Sequence, residues 1–293
     1  MSEPAKTKRG LVRPLTSSRT LSRVAFMAAA FAAYGAVPLL PWFANFRDAA
    51  LIPAEIHAAL TLVLGWLLVF RTNTAYGRWW DARTLWGEIV SVSRTLAAKY
   101  AHMVNIPEEE LDGVGRYLVA FSWGLRDHLR DAATSESLSE CDGYDETVKH
   151  VPVFLVDRLY KCLFQWKANG WIDGADQRVI DADLRRLHEL AGQCECIRLT
   201  RLASSYRVFV RQCIAVCLLT IPWGISADFG WWAVPLTGLT AYFMLGLEVV
   251  AEHVEEPFGD DEDDLDLDRL CTAVTDTVQE TIARAKQVPK VDG

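Results

Sequence analysis

Residues 60–90 read LTLVLGWLLVFRTNTAYGRWWDARTLWGEIV, and they constrain the fold more than any other stretch. Residues 60–70 carry no charge, and a run of this kind sits in lipid as a helix, because backbone polar groups find no water there. At Phe70-Arg71 the composition changes abruptly to a helix crowded with Arg and Trp. Taken alone, residues 60–70 could also form a buried helix of a soluble protein. Three further apolar runs of similar length, with a consistent charge asymmetry around them, argue for the membrane.

Those runs cover residues 24–43, 208–227 and 229–250, and the run through residue 70 starts near residue 51. Four membrane-spanning helices are therefore expected. Glu55 and His57 lie near the start of the second span, Arg211 near the start of the third, and Glu248 near the end of the fourth. Composition agrees: the chain of 293 residues is 51% hydrophobic, too apolar for an ordinary soluble domain, yet 23% charged, too polar for a purely integral one. Lys6, Lys8, Arg9, Arg13, Arg19 and Arg23 precede the first span, Arg47 alone follows it, and Arg71, Arg78, Arg83, Arg94 and Lys99 follow the second. The positive-inside rule then places both termini and the long middle region in the cytoplasm of a multi-pass inner-membrane protein. The first apolar run is long and lacks a clear small-x-small cleavage site, so it is read as an uncleaved helix.

The expected organisation is a basic N-terminal segment (1–23), two spans (24–70), a cytosolic helical domain (71–207), two further spans (208–251) and an acidic motif with a cytosolic tail (252–293). In the middle region Trp79, Trp86, Ile89, Ser93, Leu96 and Tyr100 recur at helical steps, which defines a buried face. Asn105-Ile106-Pro107-Glu108 ends that helix and starts another through Leu111, Val114, Leu118, Phe121 and Leu125. Residues 131–150 read as a loop. Pro152 opens a helix that stops near Asn169-Gly170, and Asp173 caps a long helix carrying Ile180, Leu184, Leu187 and Leu190. No strand-like alternation competes, so the fold class is an all-α integral membrane protein.

The net charge of −8 is concentrated: ten acidic residues and no Lys or Arg lie between Glu252 and Asp268. No basic face is interleaved with aromatic residues, which argues against a nucleic-acid partner. The cysteines are scattered; Cys194-Glu195-Cys196 is the nearest thing to a pattern and lacks the further ligands of a zinc site. His57, His102, His128, His150, His188 and His253 show no metal-ligand spacing, and no nucleophile elbow or phosphate-cradling loop is present. An enzyme is not expected, and no cofactor is required.

Two blocks carry a resemblance. Asn73, Arg78-Trp79-Trp80, Arg83 and Trp86-Gly87 resemble the segment that follows the second membrane helix in the bestrophin family. EEPFGDDEDDLDLDRLC, just after the last span, is similar to the family's acidic motif beginning Pro-Phe-Gly. With the spans, the similarity runs from about residue 15 to residue 271. It implies a homopentameric ion channel in the membrane, in which the second helix of each subunit lines a narrow apolar neck above a cytosolic vestibule. The neck residues would be Leu62, Trp66 and Phe70, at four-residue steps on one helical face. A ring of such side chains excludes water and gates conduction; without the resemblance, the same stripe would be read as packing on a neighbouring helix. Trp66 is bulkier than the resemblance leads one to expect, and either tightens the pore or turns sideways into the bundle. A lower constriction is expected at Ile180.

The acidic block has two readings. In animal members of the family a Ca2+ clasp uses carboxylates at the positions of Asp261 and Asp264, helped by a residue just before Pro-Phe-Gly, here Glu256. Alternatively it is a solvated acidic turn that caps a helix and pairs with Arg71, Arg78 or Arg83; bacterial-looking members open without Ca2+. Arg78, Asp81 and Arg83 are expected to form ion pairs at the membrane junction, with Trp79, Trp80 and Trp86 as anchors. Anion conduction is what the resemblance implies by default. Monovalent-cation conduction and a non-conducting membrane scaffold remain as alternatives.

Overall fold

The computed structural model describes residues 19–43, 54–132, 138, 141, 143–145, 148–261 and 263–287. The basic segment before Arg19 and the connection holding Arg47 lie outside the described residues. Among the described residues the secondary structure is helical, with no strand. The α-helices are α1 (Arg19–Tyr34), α2 (Ala54–His102), α3 (Glu108–Arg130), α4 (Val151–Ala168), α5 (Gly174–Leu199), α6 (Ser204–Phe229), α7 (Ala233–Glu255) and α8 (Leu267–Gln287). They divide into two compact units, one of residues 1–76 and 202–255, the other of residues 77–201 and 256–293.

The first unit holds α1, the start of α2, α6 and α7. Stretches 20–39, 55–102 and 204–255 are each long and apolar enough to cross a membrane. The last of these contains α6 and α7, which fold back on each other. Gly230 turns the chain at φ 51°, and Arg211 near the start of α6 reaches Glu248 and Glu252 near the end of α7. α1 ends at Tyr34, short of the expected residue 43, because Gly35, Pro38 and Pro41 follow; two 3-10 turns take up the freed carbonyls. Small residues bring α1 onto α7: a methyl group on Gly238 would lie 2.8 Å from Ala32 Cβ. Tyr34 ties α1 to α6, donating to the Leu219 carbonyl (3.0 Å) and accepting from Trp223 Nε1 (2.8 Å). Pro222 sits inside α6, which membrane helices tolerate.

α2 runs for 49 residues, about 74 Å at 1.5 Å per residue, more than twice the ~30 Å hydrocarbon thickness. Pro53 precedes it and Pro107 follows, with no proline between. Its buried positions trace one seam through His57, Leu64, Leu68, Arg71, Ala75, Ala82, Trp86, Ile89, Ser93, Leu96 and Tyr100, at steps of three, four or seven. Within each unit, that spacing keeps one face of the helix inward.

The second unit holds the rest of α2 with α3, α4, α5 and α8. Its core gathers Trp86, Ile89, Leu96 and Tyr100 with Leu118, Phe121, Leu125, Leu159, Trp166, Leu184 and Leu187. α3 carries Glu108, Glu109 and Glu110 in its first turn and His128 and Arg130 in its last, which complements the helix dipole. α5 begins with the expected Asp173 cap: Oδ1 accepts from the N–H groups of Ala175 (2.6 Å) and Asp176 (2.7 Å). α8 was not expected. Its Leu267, Cys271, Val274, Val278 and Ile282 are buried on one face.

A candidate pore face, a buried charge network and the acidic turn

Leu62, Trp66 and Phe70 project from the side of α2 opposite the buried seam. In the single chain they are 66%, 64% and 58% exposed. Trp66 is therefore not turned into the bundle of its own unit; its ring lies 6.2 Å from that of Phe70. The neighbouring Gly65 and, further along, Gly77 and Gly87 have open space where a side chain would be.

Ile180 is a different case. It is 0% exposed and belongs to the core of the second unit, with Leu184 and Leu187 on the same face of α5. A side chain that lines a lumen has to reach a surface of its subunit, so Ile180 is not a constriction residue. The recurrence of Ile180, Leu184, Leu187 and Leu190 along α5 is the signature of core packing.

Arg71, Arg211, Glu248, Glu252 and Glu255 form one network, which the sequence showed only as separate charges. Arg71 is fully buried; its Nε lies 2.6 Å from Glu248 Oε2 and its Nη1 3.3 Å from Glu255 Oε2. Arg211 reaches Glu248 Oε1 at 3.0 Å and Glu252 Oε1 at 2.6 Å. Glu255 also accepts from the Leu202 N–H at 3.0 Å. Charges in a membrane segment persist when paired in this way, because the isolated ion would be far costlier. Arg71 thus belongs to this network and not to the acidic turn.

Arg78 also departs from expectation. Instead of pairing with Asp81, it donates to the carbonyls of Ile197 (2.6 Å) and Thr200, at the open C-terminal end of α5. Among the described residues no ion pair joins Asp81 or Arg83; the Arg83 guanidinium lies over the Trp80 ring at 5.3 Å. Trp79 Nε1 donates to the Asp263 carbonyl at 3.1 Å, and Trp86 is wholly buried in the core.

The acidic turn is held from within and by arginines. The Leu265 N–H donates to the Pro257 carbonyl (3.0 Å), and Asp264 Oδ2 accepts from the Asp261 N–H (2.6 Å). Glu256 pairs with Arg201 (2.9 Å), Asp260 with Arg130 (3.1 Å), and Asp268 with Arg126 and Arg130. Burial alone would raise the Asp268 carboxyl, but the two guanidiniums outweigh it and hold it below the ordinary value. Glu256 thus has a guanidinium as partner and Asp264 Oδ2 a backbone amide.

The architecture is that of an all-helical membrane protein. The family model for bacterial and fungal bestrophin proteins matches residues 8–280, and the chain belongs to that family. A Mesorhizobium japonicum protein, named as a voltage-dependent anion channel-forming protein, is 32% identical over 262 residues, covering 87% of this chain and 84% of that one. A Nostoc protein of the same name is 28% identical over 241 residues, 79% of this chain and 78% of its own. A crystal structure of a bacterial bestrophin homologue from Klebsiella pneumoniae superposes with a TM-score of 0.82 at 19% identity, covering 90% of this chain and 98% of that chain.

Proposed function

We propose that the chain forms a homopentameric channel that conducts chloride and other monovalent anions passively across the bacterial inner membrane. α1, the first part of α2, α6 and α7 serve as four spans, and both termini face the cytoplasm. The observation that carries this reading is the apolar face of α2. Leu62, Trp66 and Phe70 are left exposed in the single chain on the side opposite the buried Leu64, Leu68 and Arg71. Rings of these residues from several subunits would form a dry neck that opens and closes by wetting. The open space beside Gly65, Gly77 and Gly87 suits close approach of neighbouring copies. Anion conduction follows the names of the relatives, and the paired acidic turn supports gating without Ca2+.

The test is single-channel recording from purified protein in planar bilayers under a KCl gradient. Currents reversing near the chloride equilibrium potential, equal with and without free Ca2+, are expected. Trp66→Ala should raise unitary conductance about two-fold or more by widening the apolar ring. Reversal near the potassium potential would replace anion with cation selectivity. Absence of current, in Trp66→Ala as well, would leave a membrane scaffold.

A further inference from the structure

The middle residue of Cys194-Glu195-Cys196 has company that its sequence neighbours do not reveal. Cys194 points into the core, with burial pushing its thiol up to about 12, and Cys196 is exposed. Glu195, between them on α5, meets two histidines from other segments. His128 lies near the end of α3 and His150 is the N-cap of α4. Glu195 Oε1 is 3.4 Å from His128 Nε2 and 3.2 Å from His150 Nε2, and the two rings lie 4.6 Å apart. One donor atom from each residue falls within 4.8 Å of the others.

Two features make this more than a packed polar cluster. Glu195 Oε1 is buried and aimed between two imidazole nitrogens, which are the groups facing it. Such an atom calls for a partner. The spacing is also that of a coordination shell: an ion about 2.0–2.1 Å from each donor at tetrahedral angles separates them by about 3.3 Å. Two edges already have that length, and the third has to close.

We propose that His128, His150 and Glu195 bind a divalent transition-metal ion of the zinc class, which fastens α3, α4 and α5 together. The donor set is two imidazoles and one carboxylate, which suits zinc and leaves a fourth position for water. Ligation through His150 Nε2 puts its proton on Nδ1 and gives up a 3.4 Å contact from the Val153 N–H, a marginal hydrogen bond. Arg198 is the nearby cation. It donates to the His128 carbonyl at 2.7 Å and pairs with Asp131, so its charge is partly answered.

The test needs no ion conduction, so it stands or falls separately from the channel reading. Untagged full-length protein in detergent is stripped with EDTA, titrated with ZnCl2 by calorimetry, dialysed and assayed for zinc. One zinc per chain is expected, with a thermal midpoint that rises with zinc and not with magnesium. His128→Ala and His150→Ala should each weaken binding at least about ten-fold, since loss of an outer-shell partner alone costs that much. Cys196→Ser should leave binding unchanged. If His128→Ala does not fold, His150→Ala decides, because His150 is half-exposed at a helix end. Absence of stoichiometric zinc in the wild type, or zinc retained in the histidine variants, overturns the proposal.

Discussion

The two units of this chain place charge and apolar surface in opposite ways. In the unit of α1, α6, α7 and the start of α2, Arg71, Glu248 and Glu255 are buried in one network while Phe26, Leu62, Trp66, Phe70 and Phe243 are exposed. In the other unit Trp86, Phe121, Leu125 and Trp166 form the interior, and the ion pairs Lys99–Asp183 and Lys286–Asp112 are partly exposed. The surroundings explain the inversion. Against lipid, apolar side chains gain nothing by hiding, whereas a charge has to find a partner inside. Against water, burial of apolar surface is the main stabilising term and charges stay outside.

The largest effect that tests this contrast comes from the network. Arg71→Met leaves the carboxylates of Glu248 and Glu255 without their buried guanidinium. The expected cost is about 3–5 kcal/mol, seen as loss of monodisperse protein in detergent. Arg71→Met combined with Glu248→Leu should recover part of it. A single variant whose midpoint stays within about 2 °C of wild type would break the comparison.

Next comes a matched pair of apolar truncations. Phe121→Ala empties a fully buried site in the second unit and should cost about 3–5 kcal/mol in thermal unfolding. Leu62→Ala, on the exposed face of α2, should change stability by about 0.5 kcal/mol or less. Equal costs would show that Leu62 packs as a core residue and would remove it from the proposed neck.

What the sequence displayed depended on how local the signal was. The faces of α2, α3 and α5 were legible because Leu96, Phe121 and Leu184 recur at helical steps and are all buried. α8 has the same signal, yet the acidic run just before Leu267 drew its stretch into a tail. The Arg71 network could have been suspected, since a charge in an apolar run requires a partner, but partners far along the chain are set by packing. His128, His150 and Glu195 carry no spacing at all; the fold alone brings them together. Ile180 is the opposite case: the resemblance implied a lower constriction on α5, and the side chain packs in the core instead.

The smallest expected effect lies at the water-exposed end of the scale. Hydrogen bonds from the Asp176 and Ala175 N–H groups hold the Asp173 carboxyl below its ordinary value of 3.8. A carboxyl lowered on folding contributes stability above its unfolded pKa, and that contribution is lost as pH falls through the folded value. Asp173→Ala should therefore lower the thermal midpoint slightly near neutral pH, and the gap should close once the pH drops well below 3.8. Asp173→Asn, which keeps an acceptor at the cap but cannot titrate, should stay close to wild type at neutral pH. Thermal unfolding of the three proteins at about pH 7 and about pH 2 reads the difference. A gap that persists unchanged into acid would mean that Asp173 acts through packing and not through its charge, and that the exposed surface of this unit is less governed by water than its ion pairs suggest.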